Sequence, residues 1–374
     1  MDSETRGIEF IQIILILLNN LKKAHKCICI IRFGPMSEIF HALPVASAIK
    51  RDFPHERVIW VTDQAGSQLI DKNGDIDHII AWKRNEWIRD FPYPHRTISV
   101  IWEIMGAIFE LKMEKIHIIL DLEGSPISRF LAQRTGCQTR FGFEHEAHHN
   151  DRFKRVYTHL IPMARKALHD YERNLLILKE IGINGHRMLP VIEIPEEDQK
   201  RADAFFEKKI PNQGKAVIGI YPGADYENRR WSLERFAEVA DLLTERLGIN
   251  CLLLWFPGEL NLIKSIEKNM ITMPIRAYSA SGKSMLALIK NCSLLLAADS
   301  ALIQMANIVK TPVLGLFGPT SPKRRGPIGP HDRVIQRLMT CVPCERLFCC
   351  NNQCMKAIEV KDIIKNAEEM LLER

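Results

Sequence analysis

The sequence predicts two α/β domains, each built on a parallel sheet flanked by helices. Short apolar, β-rich runs alternate with helical patterns through both halves of the chain, the order that builds parallel sheets. Several of these runs end in Gly, Pro, Asp or Ser turns that open into helices, as carboxyl-edge loops do. The length of 374 residues exceeds what one core usually fills, so two domains are the natural division.

The chain opens with an extension, residues 1–25. Residues 8–18 (IEFIQIILILL) are nearly all apolar, and Lys22, Lys23 and Lys26 follow. This run is short of the roughly 20 residues that span a bilayer. An acidic start and the lack of a small-residue cleavage site argue against a signal peptide. An extra helix packed on the domain is the preferred reading. A helix lying on a membrane with a basic collar is the alternative.

Residues 26–32 (KCICIIR) read as the first strand, followed by a Gly34-Pro35 turn and a helix ending near Pro54. Residues 58–62 and 79–82 are the next strands. The stretch around Trp87, Phe91 and Tyr93 reads as loop-rich, its aromatics equally a candidate acceptor lining or packing residues. Residues 116–121 form a strand ending in Asp121-Leu122-Glu123-Gly124, and 128–133 continue as helix. His145, His148 and His149 match no standard metal-site spacing and read as solvated. A helix runs from Tyr171 to about Ile181. The Pro and charge content of residues 190–200 places a domain boundary there, dividing 26–195 from 196–374.

In the second half, residues 216–220 are a strand ending in Tyr221-Pro222-Gly223-Ala224, and Arg229-Arg230-Trp231-Ser232 lead into a helix at Leu233. Trp231 reads as that helix's anchor. Residues 251–255 are a strand leading to Phe256-Pro257-Gly258-Glu259. Residues 284–290 are helical. Residues 294–298 run into Asp299-Ser300, a helix follows to about Val309, and a strand at 313–317 ends in Gly318-Pro319-Thr320. Ser300 reads as an N-cap, and the amides behind it as an anion site. That pattern alone suggests a phosphate-bearing ligand. Residues 360–374 read as a terminal helix packing back across both domains.

Asp299-Ser300-Ala301-Leu302, Thr311-Pro312, Leu316-Phe317-Gly318-Pro319-Thr320-Ser321-Pro322 and Gly326-Pro327-Ile328-Gly329 together resemble glycosyltransferase family 9, the ADP-heptose:lipopolysaccharide heptosyltransferases. The family pattern runs D-[ST]-G-x-x-H, T-P, L-F-G-P-T-x-P, G-P-x-G. Ala301 replaces its Gly and Gln304 its His. The opening also resembles the family's G-D-x-x-x-x-L-P, with Ser37 on the Gly and Glu38 on the catalytic Asp. Further matches are the D-x-[QE]-G turn, the R-x-G-F at Arg140, the h-P-G-A and K-x-W-P segments, and G-x-P-x-E, where Trp255 replaces the Gly. The similarity covers roughly residues 26–360.

The resemblance implies two Rossmann-like domains facing a central cleft, the GT-B fold. It implies metal-independent, inverting transfer of heptose from ADP-heptose to a lipopolysaccharide inner-core acceptor at the cytoplasmic membrane's inner face. Inversion needs a base for the acceptor hydroxyl, and Glu38 falls on that position. Arg229 falls on a Lys that neutralises the diphosphate leaving group, and Arg keeps that charge. Gly223 and Ala224 bring amides near phosphate. Glu259 and Asp299 hold ribose or donor sugar, with Ser300, Ala301, Leu302 and Gln304 completing the donor loop. Arg140 and Arg173 are the acceptor-side candidates, with a structural ion pair the preferred alternative for Arg173. A different nucleotide sugar or glycan acceptor, and a nucleotide-sugar-binding protein without turnover, remain the alternatives. No G-x-G-x-x-G follows the first strand, which disfavours a dehydrogenase.

The net charge of +6 is too diffuse for nucleic acid and suits an acidic substrate or an anionic membrane surface. Five of the ten cysteines, Cys27, Cys29, Cys137, Cys251 and Cys292, are scattered, mostly in apolar runs. They read as buried hydrophobes in a reducing compartment. Cys341, Cys344, Cys349, Cys350 and Cys354 cluster. A structural zinc on Cys341, Cys344, Cys354 and either Cys349 or Cys350 fits the spacing. The family shows a similar C-x-P-C…C-M without needing metal for catalysis, so a thiol or disulfide-capable loop is preferred.

Overall fold

The computed structural model describes residues 26–144, 155–162, 168–183, 190–211 and 214–373. The N-terminal extension and His145, His148 and His149 lie outside the described residues. Two six-stranded sheets form the frame, and every strand pairing in them is parallel.

The first sheet and its helices run β1 (Cys27–Ile31), α1 (Met36–Asp52), β2 (Arg57–Asp63), α2 (Gln64–Ile70), β3 (His78–Trp82), α3 (Arg84–Asp90), α4 (Pro94–Met113), β4 (Ile118–Asp121), α5 (Pro126–Arg134), β5 (Thr139–Phe143) and β6 (His159–Ile161). Helices α6 (Asp170–Lys179) and α7 (Glu196–Lys209) lead to the second sheet. There the order is β7 (Val217–Tyr221), α8 (Leu233–Leu247), β8 (Asn250–Leu253), α9 (Leu260–Asn269), β9 (Ile275–Arg276), α10 (Gly282–Lys290), β10 (Leu294–Ala298), α11 (Ala301–Val309), β11 (Val313–Phe317), α12 (Pro322–Arg325), β12 (Arg333–Gln336), α13 (Gln353–Lys356) and α14 (Val360–Leu372).

Strand order is β3-β2-β1-β4-β5-β6 in the first sheet, and the second repeats it as β9-β8-β7-β10-β11-β12. In such a sheet the order reverses direction between its first and fourth strands, and the loops there splay apart to leave a crevice. The segments after β1, β4, β7 and β10 are therefore where a ligand site is expected. Strands β1, β7, β10 and β11 are buried along their whole length. Helices cover both faces of a parallel sheet, which is why these strands read as unbroken apolar runs. One apolar core spans the two sheets: Ile39 and Leu43 of α1 belong to the same buried cluster as Leu302 and Ala306 of α11.

Two expectations are corrected. The region around Trp87 is helical, not loop-rich. Buried Trp87 packs near Trp82, with ring centroids 5.9 Å apart, and its indole donates to Glu103 at 2.9 Å. The prolines misled because Pro94 opens α4, a position where a missing N–H costs nothing. Helix α14 does not bridge the domains. Its Ile363, Ile364, Ala367 and Met370 are buried with Trp231, Phe236 and Leu314 on the second sheet. Trp231 does brace this region, its indole donating to the Ile358 carbonyl at 3.2 Å.

Candidate active site

The site begins where β1 ends. The backbone turns at Gly34 with φ of +104°, a conformation that only glycine enters readily. Helix α1 follows, with Glu38 in its first turn. Its carboxylate is bound by Arg32 on one side and by Arg325, from the second domain, on the other. Burial alone would push this acid up. The two guanidiniums outweigh it and hold Glu38 well below the usual carboxylate range. Arg32 also donates to the Leu122 carbonyl and lies 3.9 Å from Glu123, which meets Arg84 at 3.4 Å.

Behind Glu38 lies a second buried acid. Asp170, at the start of α6, is fully buried and is met by Arg324 at 3.1 Å, Arg325 at 3.4 Å and Arg173 at 3.6 Å. His41, nearly one turn along α1 from Glu38, has no hydrogen-bond partner on either ring nitrogen among the described residues. Burial pushes it down to about 3, so it is neutral at physiological pH. Its ring meets that of His169 edge-on at 5.3 Å, and His169 Nε2 lies 3.0 Å from the Gly326 carbonyl. Among the described residues, Glu38, His41 and Asp170 are the one triad with metal-ligand atoms within 4.8 Å of one another. Both its carboxylates are already met by arginines, so the cluster reads as an ion-pair network.

The second domain supplies the facing edge. Tyr221, the last residue of β7, donates to Glu259 Oε1 at 2.9 Å, and Glu259 Oε2 accepts from the Phe256 amide at 2.8 Å. Gly223 lies against this pair: a Cβ there would stand 2.4 Å from the Tyr221 ring and 2.7 Å from Glu259. Arg229 and Asp299 form a buried ion pair at 3.0 Å, with the Arg229 guanidinium 4.6 Å over the Tyr226 ring. Ser300 stands at the N-cap of α11 but makes no capping bond. Its buried hydroxyl has no partner among the described residues. The Ala301 and Leu302 amides behind it are first-turn groups without an i−4 acceptor, while the Ile303 amide donates to the Ser300 carbonyl at 3.2 Å.

A further contact ties the two edges together. Ser37 Oγ donates to Asp225 Oδ2 at 2.9 Å. Burial, and then the neighbouring Asp299, push Asp225 up to about 6, against the pull of Ser37 and Arg229.

Residues 107–355 match the family model "Glycosyltransferase family 9 (heptosyltransferase)". The chain belongs to glycosyltransferase family 9. It is 22% identical to lipopolysaccharide core heptosyltransferase OpsX of Haemophilus influenzae, over 84% of this chain and 85% of that protein. It is 23% identical to lipopolysaccharide heptosyltransferase 3 of Escherichia coli, over 88% and 94%. The glycosyltransferase family 9 structure from Veillonella parvula superposes with a TM-score of 0.75 at 23% identity, covering 93% of this chain and 98% of that one. E. coli heptosyltransferase WaaC with ADP gives 0.71 at 16% identity, covering 92% and 99%. The fold is therefore GT-B, and this family 9 chain is a glycosyltransferase.

Within the family 9 frame, Gln304 and Arg140 are placed differently from what was expected of them. Gln304 does not face open space. Its amide donates to the Arg325 carbonyl at 2.8 Å and its oxygen accepts from Asn307 at 3.1 Å, so it steadies the arginine loop. Arg140 sits at the amino end of β5, bound to the Val156 and Cys137 carbonyls, on the wrong edge of the sheet for an acceptor. Arg173 pairs with Asp170 at 3.6 Å, the structural ion pair preferred for it over an acceptor contact. Cys341, Cys344, Cys350 and Cys354 are free thiols and form no converging ligand group among the described residues.

Sequence reading missed Arg32, Ser37, Asp170, Asp225, Arg324 and Arg325 as site residues. Arg32 and Asp225 each follow a strand at a switch point, and Arg324-Arg325 lie within the Gly318–Gly329 stretch. Their position relative to the strands was the available signal.

Proposed function

We propose that this glycosyltransferase moves heptose from ADP-heptose, with inversion, to an inner-core acceptor of lipopolysaccharide, working as a peripheral protein at the inner face of the cytoplasmic membrane. One observation carries the reading. Glu38, in the segment after β1, pairs with Arg325 of the second domain, and the neighbouring Ser37 bonds Asp225, in the segment after β7, at 2.9 Å. The names of its relatives, lipopolysaccharide heptosyltransferases, support the substrate pair. Among the described residues no helix is long and apolar enough to cross a membrane.

In the proposed reaction the acceptor hydroxyl oxygen attacks the anomeric carbon of the heptose. The bond from that carbon to the β-phosphate oxygen breaks, and ADP departs with the electron pair. Glu38 takes the hydroxyl proton. Arg229 and the helix-start amides of Ser300, Ala301 and Leu302 meet the charge that develops on the diphosphate. Gly223 and Ala224 bring backbone close to it, and Glu259 and Asp299 hold ribose or sugar. A carboxylate clamped by two guanidiniums is a weak base. Productive binding therefore transfers Arg325 from Glu38 to the donor's diphosphate, which frees the base and adds a cation where charge builds.

Calorimetric titration with ADP-heptose against UDP- and GDP-sugars tests the donor. Selective binding of the ADP sugar is expected. Preference for another nucleotide would overturn the donor assignment, and binding of none would make this a protein without turnover.

A further inference from the structure

His41 is a buried histidine that the proposed reaction leaves without a part. It lies on α1, three residues after Glu38, and is 2% exposed. Neither ring nitrogen has a hydrogen-bond partner among the described residues. A buried polar atom left unpaired is costly, because burial strips its water and returns nothing. Yet acceptors are near: one nitrogen of His41, one oxygen of Glu38 and one oxygen of Asp170 all lie within 4.8 Å of one another.

Arginines occupy those acids instead. Glu38 is held by Arg32 and Arg325, and Asp170 by Arg324, Arg325 and Arg173. Arg325 is thus the cation common to both carboxylates, and it belongs to the second domain. Asp170 Oδ2, Asn174 Oδ1 and the Nε atoms of Arg173 and Arg325 are also buried without a hydrogen bond. The unsatisfied atoms converge on the arginine that the reaction above moves.

The surrounding charges account for the neutral ring. Burial keeps a proton off His41 against the pull of Glu38 and Asp170, and His169 and Arg325 add to the opposition. These groups come from α1, from α6 and its cap, and from α12. Helix α11, packed on α1 as well, carries no charged side chain. When Arg325 leaves for the diphosphate, two buried carboxylates lose a cation beside an imidazole that can supply one. A buried acid without its partner is strongly disfavoured.

We propose that His41 takes Arg325's place: it receives, through Glu38, the proton of the acceptor hydroxyl and holds it between Glu38 and Asp170 until ADP leaves. Resting on the reaction above, this gives its proton a destination. The acceptor oxygen bonds the anomeric carbon and loses its hydrogen to Glu38, while ADP departs with the electron pair. Glu38 passes the proton to the lone pair of the unprotonated His41 nitrogen. Both ring N–H groups then donate, one toward Glu38 and one toward Asp170. A turn of the ring or one bridging water spans the remaining gap. Return of Arg325 to the acids expels the proton to solvent. His41 touches no substrate and acts through Glu38, as a positioning residue.

The test reads the ring in the full chain, labelled with carbon-13 at histidine Cε1, whose NMR shift separates imidazole from imidazolium. His41→Gln assigns the resonance. Without any nucleotide, Arg325→Ala and the bulkier Arg325→Gln should each raise the midpoint of His41 by roughly two pH units or more, from about 3. An unmoved midpoint in both would overturn the proposal, whatever the substrate.

ADP is the second probe. Calorimetry at pH 6 in buffers of different ionisation enthalpy should show proton uptake on binding, lost in His41→Gln. Both proteins are compared on the Asp225→Asn background, which removes that acid's own proton. ADP binding with uptake independent of His41 would overturn the proposal. No ADP binding would sink the donor reading, and the Arg325 variants would still decide His41. In transfer assays, His41→Gln and His41→Asn should both lower kcat roughly tenfold or more with donor and acceptor KM unmoved. Full activity in either amide variant would reduce His41 to a hydrogen-bonding role and contradict the proposal.

Discussion

At the residue scale, the acids of the cleft differ by their surroundings. Glu38 is held low by Arg32 and Arg325, after burial is overcome. Glu38→Gln keeps the size and the Arg contacts but removes the proton acceptor, so kcat should fall roughly 10²- to 10⁴-fold, with donor affinity retained. Glu38→Asp should keep measurable turnover. Asp225 has the opposite environment, raised by burial and Asp299 from 3.8 to about 6. An acid whose folded pKa lies above its unfolded value binds its proton more tightly when folded, so the protein loses stability as pH rises from about 3.8 through 6. Asp225→Asn should therefore stabilise the enzyme at pH 7 by up to roughly 3 kcal/mol and leave it unchanged below about pH 4, as read by denaturant unfolding at each pH. Donor affinity should tighten as pH falls through 6, since a neutral Asp225 no longer repels a diphosphate, and the Asn variant should lose that dependence.

At the element scale, the turn after β7 depends on one glycine. A Cβ at Gly223 meets the ends of the Tyr221 and Glu259 side chains at 2.4–2.7 Å, so that pair must shift to admit it. Gly223→Ala should raise donor KM at least tenfold by displacing Glu259, while acceptor KM changes little. The elements flanking the site were largely legible beforehand, because buried parallel strands such as 294–298 and 313–317 are continuous apolar runs closed by turn residues. Helices α3 and α4 were not: Phe91-Pro92-Tyr93-Pro94 looks like loop, and only the burial of Trp87 against Trp82 shows that α3 packs. Helix α14 was read as a helix but given the wrong partner, since an apolar stripe announces that it is buried and not against what.

At the scale of the whole molecule, the two sheets are joined by an apolar core through α1 and α11 and by charged contacts across the cleft. Ser37–Asp225, Glu38–Arg325 and Asp170–Arg324 link residues 188, 287 and 154 positions apart. Such pairings carry no periodicity, which is why Asp170, Asp225 and Arg325 did not stand out in the sequence while Glu38 and Asp299 did. Arg325 has two roles in this account, clamping the free base and meeting the bound diphosphate. Arg325→Ala should raise donor KM tenfold or more and move the acidic limb of the kcat/KM profile to higher pH, because Glu38 loses one of the cations that depress it. An unmoved limb would separate Arg325 from the base.

Glu38 is the proposed base for transfer from ADP-heptose. That role is tested most directly by the rate of heptose transfer to a heptose-deficient lipopolysaccharide acceptor, measured for the unaltered enzyme and Glu38→Gln at saturating donor. Transfer by the first is expected, with a loss of at least a hundredfold in kcat by the second and an unchanged dissociation constant for ADP-heptose. Equal rates in the two proteins would contradict it.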